Sequence, residues 1–378
     1  MSFIVPHFMR KFRYKNILLY TSHQWCGNTE EYFSKNSERL LAFLLMPRVQ
    51  NKDNVLRIYE QGKMVEEKKI GLSENIFLYY FLWYMQYIKA IFTHIPKNER
   101  LIVVSHHPYP FFFMTLQKFF RKLTFVYWIA DYFPPINLVL RLFEKLKAFY
   151  HKNIDYACYL GDGVNNIMNG KIMTTDRKRT IIWGVKPKNI KRNFIKTKHN
   201  LLYVGVVRPT VGLEIVYEFL KTNKEYKLKV IGVCDKALYK RQMGMIKNYG
   251  IDKQVYFPNR FFFDDELNEL SKECFVGVAL YAIDNTSTIY YADPGKIKAY
   301  TEMGLPVIMS RTSSIAPYIE KFNAGKVIER NVASFERAIK TIHEGYGEYL
   351  KGVINFNKYF YFEDYYVKSF KFLENINN

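Results

Sequence analysis

Cysteine is scarce in this chain. Its 378 residues hold four, Cys26, Cys158, Cys234 and Cys274, with no C-x-x-C pair and no nearby histidine at ligand spacing. That excludes a disulfide scaffold and a zinc framework, and fits reduced cysteines in a cytosolic setting. Long apolar runs are missing too. The longest, Ile76 to Ile88, is uncharged but interrupted by Gln86. It falls short of the roughly 20 residues that a spanning helix needs, though attachment to a membrane surface stays open. Met1 to Arg13 contains no long apolar stretch, so no secretory leader is expected. No G-x-G-x-x-G follows the first strand pattern, which disfavours nicotinamide-dependent redox chemistry. Nothing supports a metal site: Asp264–Asp265 read as a helix start rather than a D-x-D loop.

Acidic residues are short in one half only. Residues 1–200 hold 32 Lys and Arg against 14 Asp and Glu, a balance of +18. Residues 201–378 hold 24 against 21, a balance of +3. A basic half joined to a near-neutral half suggests a polyanionic partner for the first, an anionic membrane or a nucleic acid. Hydrophobic residues make up 49% and aromatics 17%, with 31 Tyr and 31 Phe. Such a chain can bury a proper core, and its length exceeds what one core usually fills, so two domains are expected.

Short apolar runs alternate with helical patterns. Asn16–Thr21, Leu101–Ser105, Thr124–Ala130, Asp155–Leu160 and Thr180–Trp183 read as buried strands. Thr29–Leu45, Glu74–His94, Phe111–Lys122 and Asn137–His151 read as helices, the first capped by Asn28 with Glu31 as its capping-box partner. The polar, basic stretch Lys186–Asn200 reads as a linker. Alternation then resumes, with strands at Leu201–Val207, Lys227–Ile231, Val255–Phe257, Phe275–Tyr281 and Leu305–Met309. Helices are expected at Leu213–Thr222, up to Ile246, at Asp265–Lys272 and near Gly295–Met303. Two parallel sheets with helices on both faces follow, and ligands should sit at the carboxyl ends of their strands.

Ala292–Ser310, ADPGKIKAYTEMGLPVIMS, is the most specific segment. A helix beginning at Pro294–Gly295 presents free N–H groups and a partial positive charge, and Lys296 in its first turn adds a full one. Together they suit a diphosphate. The segment resembles the P-x-K-x-x-E-Y-x-x-x-G-x-P-V signature in the second domain of GT-B glycosyltransferases, notably the large retaining family 4 and its relatives. Pro294, Lys296, Tyr300, Gly304, Pro306 and Val307 stand at the signature's spacing. LYVGVVRPTVGLE resembles the opening of that domain, VYFPNRFFFDDELNELSKECFVGVAL the wall of the nucleotide base, and IIWGVK the end of the first domain.

The resemblance implies an α/β, GT-B architecture of two Rossmann-like doubly wound domains facing an interdomain cleft. Residues 1–190 would form the acceptor and membrane side, and 200–350 the nucleotide-sugar donor domain. Residues 351–378 would hold a C-terminal crossing helix, roughly Glu363–Ile376, packed back on the first domain. It implies transfer of a sugar from a nucleotide-diphosphate sugar, a co-substrate rather than a cofactor, to a lipid-linked or envelope glycan. Lys296, Arg208, Pro294, Gly295, Tyr291 and Arg260 would bind the donor. The family's acidic pair falls on Tyr291 and Ala299, and its opening-loop cations on Val206 and Val211, leaving Arg208 as the cation of that loop. These departures bring the chain closer to the xanthan glucuronosyltransferase, an inverting, membrane-associated GT-B enzyme.

An inverting transferase needs a base. Asp131, after a buried strand and before Pro134–Pro135, resembles an aspartate that similar enzymes carry there. His106 and His107 follow the strand Leu101–Ser105 and also face the expected cleft; one could touch substrate. Gly27, in the turn after the first strand, would let a sugar or phosphate approach. Gln117–Leu123 and Arg141–Lys152 interleave basic and aromatic residues, which suits a membrane interface as well as packing on the sheet. The chain is therefore expected on the inner face of the membrane. Two alternatives remain. One is a nucleic-acid-binding protein, which lacks any helix-turn-helix, zinc-knuckle or RNA-binding signature. The other is a GT-B-like nucleotide-sugar epimerase, for which no acid/base groups stand out.

Overall fold

Strongly apolar, β-branched strands organise both halves of the chain. A computed structural model describes residues 12–22, 27–45, 54–70, 76–130, 132, 134–135, 137–169, 174–188, 190, 199–262, 264–282, 291, 293–311 and 314–376. The first half builds an eight-stranded sheet from Tyr14–Ser22 (β1), Ser37–Leu45 (β2), Asn54–Glu60 (β3), Lys63–Ile70 (β4), Leu101–Ser105 (β5), Leu123–Ile129 (β6), Tyr156–Tyr159 (β7) and Lys178–Thr180 (β8). Their order is β4-β3-β2-β1-β5-β6-β7-β8. From β2 through β8 along that order, neighbours are parallel, whereas β3 runs antiparallel to both β2 and β4.

Helices cover both faces of this sheet. Ile76–His94 (α2), Tyr109–Met114 (α3), Leu138–Asn153 (α4) and Asp162–Asn169 (α5) lie on one face, burying Trp83, Tyr87, Phe111, Tyr150 and Val164 against Leu18, Leu41 and Val103. Thr29–Asn36 (α1) lies on the other face with Phe362, Tyr366 and Phe370 from the far end of the chain.

The second half folds into six strands, Asn200–Val204 (β9), Lys227–Ile231 (β10), Val255–Tyr256 (β11), Val276–Ala279 (β12), Val307–Ser310 (β13) and Gly325–Ile328 (β14). All are parallel, in the order β11-β10-β9-β12-β13-β14. The order reverses direction between β9 and β12. Leu213–Thr222 (α6), Lys236–Asn248 (α7), Asp264–Ser271 (α8), Gly295–Glu302 (α9) and Ala316–Lys321 (α10) connect these strands. Val332–Glu344 (α11) and Tyr346–Tyr359 (α12) follow. The chain then crosses to the first sheet. Val185 N–H donates to the Phe360 carbonyl at 2.8 Å and Phe362 N–H to the Val185 carbonyl at 3.0 Å, so the two crossing strands clasp each other.

Several local expectations change. Thr29–Leu45 is not one helix: α1 stops at Asn36 and β2 begins at Ser37, because Leu40–Leu44 are buried on both faces between β1 and β3 and tertiary burial overrides leucine's helix preference. β3 and β4 carry too many charges to read as buried strands. They form an edge hairpin whose Lys and Glu side chains discourage further pairing. Asn28 caps nothing with its side chain; it sits at φ 60°, in the left-handed region. The stretch Phe111–Lys122 is α3 followed by a 3₁₀ turn at Thr115–Phe119. The C-terminal helix is two pieces, Phe362–Ser369 (α13) and Lys371–Glu374 (α14), hinged at Phe370.

Candidate functional site

A crevice opens where β9 and β12 part. The two strands pair only at Leu201–Val276 and Leu202–Gly277. Beyond that the split is filled by Tyr300 of α9. Its hydroxyl accepts from Val204 N–H at 2.9 Å and donates to the Val278 carbonyl at 3.0 Å. Its ring lies on Gly277, where a Cβ would come within 2.3 Å of it, so only glycine fits there. Tyr300 therefore docks the start of α9 at the point where the sheet order reverses. Open α/β sheets place ligands at such a point, beyond the strands' carboxyl ends.

Lys296 projects into this crevice from the first turn of α9. Its Nζ donates to Tyr203 Oη at 2.9 Å and lies 4.3 Å and 4.9 Å from the ring centres of Tyr203 and Tyr281. Among the described residues no carboxylate pairs with it. Burial, with Arg208 as a second positive charge nearby, pulls the Lys296 ammonium down to about 7. Arg208 itself is exposed on the loop between β9 and α6. Pro294 precedes α9 in an extended conformation, and Gly295 is its first residue. The crevice thus holds two cations and a helix N-terminus, and among the described residues no carboxylate pairs with either cation.

Behind Pro294, the Asp293 carboxylate pairs with Lys298 in the interior. Burial pushes the Asp293 carboxyl up, Lys298 opposing it, and its Oδ1 has no hydrogen-bond partner. The first sheet meets this region directly. Asp162 N–H at the start of α5 donates to Ser314 Oγ at 2.7 Å, and Tyr291 stacks edge-on against Tyr132, with ring centres 5.0 Å apart. The crevice is therefore roofed by the carboxyl end of the first sheet.

On that roof, His106 is buried at the end of β5. Its Nδ1 bonds Thr21 Oγ1 at 3.1 Å, its ring packs edge-on against Trp128, and its Nε2 has no hydrogen-bond partner among the described residues. Burial holds the imidazole down to about 3, so it is neutral at pH 7. Trp183 lies beside it, ring centres 6.0 Å apart, and its indole N–H is also without a partner. His107 packs edge-on against Tyr20 and is held down to about 4 by burial. Gly27 sits at φ 58°, with its missing Cβ 2.6 Å from the Trp183 side chain and 2.5 Å from Tyr366 Oη, which donates to the Gly27 carbonyl at 2.7 Å. The space beside Gly27 is occupied by Trp183 and Tyr366, so a close approach of the protein itself explains this glycine. Asp131 lies outside the described residues. Arg260 is not brought to the crevice contacts: it is exposed, paired with Glu266 and stacked on Phe262. Asp264–Asp265 do begin a helix, α8. Among the described residues no group of three His, Cys, Asp or Glu is placed to hold a metal ion.

No family model matches the sequence, and no curated protein does either. Solved structures match over nearly the whole chain. Sucrose-phosphate synthase from Thermosynechococcus elongatus covers 96% of this chain and 99% of its own, at 10% identity and a TM-score of 0.69. Anabaena HepE in complex with UDP and glucose covers 95% and 100%, at 11% identity and 0.67. Staphylococcus aureus TarM, bound to fondaparinux, α-GlcNAc-glycerol and UDP, covers 86% of this chain and 63% of its own, at 13% identity and 0.58. The chain has the GT-B fold.

Within this GT-B frame, two residues of the crevice escape sequence reasoning. Tyr203 and Tyr281 read as strand aromatics, yet their rings hold the Lys296 ammonium between them. Their position at the ends of β9 and β12, the two strands flanking the reversal, is the signal that could have found them. Burial raises both hydroxyls well above the ordinary tyrosine range, so they stay neutral and keep a proton to donate. Ser314, which fastens the two halves of the GT-B cleft, has no sequence signal at all.

Proposed function

We propose that this chain is a glycosyltransferase that moves a sugar from a nucleotide-diphosphate sugar to a glycan acceptor. One observation carries the reading. Lys296 is a desolvated cation with no carboxylate partner among the described residues, beside Arg208 and a helix N-terminus, at the switch point of a Rossmann-ordered sheet. Burying an ammonium this way is costly unless an anion arrives. A diphosphate supplies it, and the HepE structure with UDP offers the natural probe.

In transfer, a bond forms from the acceptor oxygen to the anomeric carbon, and the bond from that carbon to the diphosphate oxygen breaks. The leaving diphosphate gains charge, which Lys296, Arg208 and the α9 N-terminus stabilise as it develops. Because these cations belong to the protein, transfer is expected to proceed without added divalent ions and to persist in chelator. The acceptor's proton needs a base. We assign it to Asp131, two residues after β6 in the sequence, with inversion at the anomeric carbon. His106 Nε2 and the Trp183 indole N–H, without a hydrogen-bond partner among the described residues, are groups that acceptor hydroxyls could satisfy. The acceptor we assign is a lipid-linked or envelope glycan at an anionic membrane surface, with the protein attached peripherally; no helix among the described residues is long and apolar enough to cross a membrane. UDP calorimetry on Lys296→Ala tests the donor site. A loss of about 1.5–3 kcal/mol, roughly tenfold to a hundredfold in Kd, is expected. Unchanged affinity would refute it.

A further inference from the structure

On one face of the first sheet, α2, α4 and the 3₁₀ turn after α3 leave large apolar side chains exposed. α2 exposes Phe81, Met85 and Phe92. The 3₁₀ turn and the residue after it expose Leu116, Phe119 and Phe120, with Phe119 81% exposed. α4 exposes Leu138, Leu142 and Phe149 along one stripe, while Tyr150, about a third of a turn away, is buried in the core. Monomers seldom expose so many large apolar side chains on one layer. The segments 76–94, 109–122 and 138–153 also carry eight Lys and Arg against a single Glu, Glu144, which pairs with Lys147.

A built groove lies within this layer. It has a volume of about 310 Å³ and is lined by Phe92, Thr93, His94, Pro96, Lys97 and Arg121. Arg121 is only 7% exposed and has no carboxylate partner among the described residues. Its Nη1 donates to the Ile95 carbonyl at 2.9 Å, its guanidinium lies 4.6 Å from the Phe92 ring centre, and its Nε has no hydrogen-bond partner among the described residues. At the rim, Glu66 lies 3.7 Å from His94 Nε2. A desolvated guanidinium with a spare N–H, beside exposed Lys97, suits a phosphate.

We infer that this helical layer docks on an anionic lipid bilayer, with Phe119, Phe120, Leu138 and Leu142 in the interface and a headgroup phosphate in the Arg121 groove. The inference deepens the membrane-bound acceptor proposed above and rests on that reading only for the acceptor's route. A second copy of this chain is a poor occupant, since it would bring two strongly basic surfaces together. A nucleic acid gains nothing from exposed leucines, whereas an interface buries them and pairs the lysines with headgroups. The N-termini of α2 and α4 lie at the strands' carboxyl ends, so the docked layer sets the cleft mouth at the leaflet. A lipid-linked acceptor would then enter sideways rather than from bulk water.

The test is flotation of the full chain with vesicles of phosphatidylglycerol and phosphatidylcholine in equal parts, against phosphatidylcholine alone, with UDP calorimetry on every variant. Salt-sensitive binding to the anionic vesicles is expected. Phe119→Ser with Phe120→Ser, and Leu138→Ser with Leu142→Ser, should each weaken it about tenfold or more while leaving UDP affinity unchanged. Lys97→Ala and Arg121→Ala should reduce the preference for phosphatidylglycerol. Vesicle binding that survives both serine pairs overturns the inference. So does sedimentation showing a dimer that those pairs dissolve, or duplex DNA binding at the same salt that Arg121→Ala abolishes. Intact vesicle binding without UDP binding would strike the donor reading alone and leave this surface standing.

Discussion

The two sheets of this molecule solve different problems at their carboxyl ends. In the second, six parallel strands in a single doubly wound order open a crevice at the reversal, and Lys296, Tyr203 and Tyr281 meet there from a helix start and two strand ends. In the first, an antiparallel hairpin extends one edge, and the end of β5 leads into the neutral imidazoles of His106 and His107. The outer helices of that half are apolar and basic, whereas the second half is close to neutral. A regular sheet can fix an anion site by topology alone. A site for a large, variable acceptor has to be assembled from loops and an outer surface.

The sharpest way to break this division of labour is at the base assigned to the first half. Asp131→Asn should leave UDP affinity nearly intact while transfer falls about 10²–10⁴-fold, the usual contribution of general-base catalysis. Product NMR should show inversion. Retention, or near-normal turnover of the variant, would move the base to His106 or His107. In the second half the donor loss described for Lys296→Ala should appear in Kd and not depend on the acceptor. Smaller still is a change that separates scaffold from site. Tyr300→Phe leaves the Val204 N–H and Val278 carbonyl without their bridge, which should cost about 1–3 kcal/mol in denaturant unfolding. A variant as stable as the parent would mean that the strand split closes without Tyr300.

The same contrast governs what can be read from sequence. The second half follows strand–helix alternation closely, and the spacing Pro294, Lys296, Tyr300, Gly304 marks the crevice before any coordinates. Even there, β14 and the pairing of Tyr203 with Tyr281 around Lys296 depend on which strands become neighbours, which local pattern does not encode. In the first half Ser37–Leu45 misleads because leucine and alanine favour helices, and only burial between β1 and β3 makes that stretch a strand. Lys63–Ile70 misleads for the opposite reason, since an edge strand can be charged. The role of Gly27 is set by Trp183 and Tyr366, more than 150 residues away in sequence, so no motif could reveal it.

The central claim is that Lys296, which has no counter-charge among the described residues, gains one from a diphosphate. Its folded-state value near 7 lies well below the ordinary 10.5, so the free protein loses this charge as pH rises through 7. A bound diphosphate favours the charged form and raises that value. UDP affinity should therefore fall up to about tenfold per pH unit above 7, each binding event taking up a proton. The direct measurement is calorimetry of UDP binding at pH 8 in two buffers of different ionisation enthalpy. Uptake close to one proton per UDP in the parent protein, and none in Lys296→Arg, is the expected result. Binding of UDP with no proton uptake in the parent protein would contradict it.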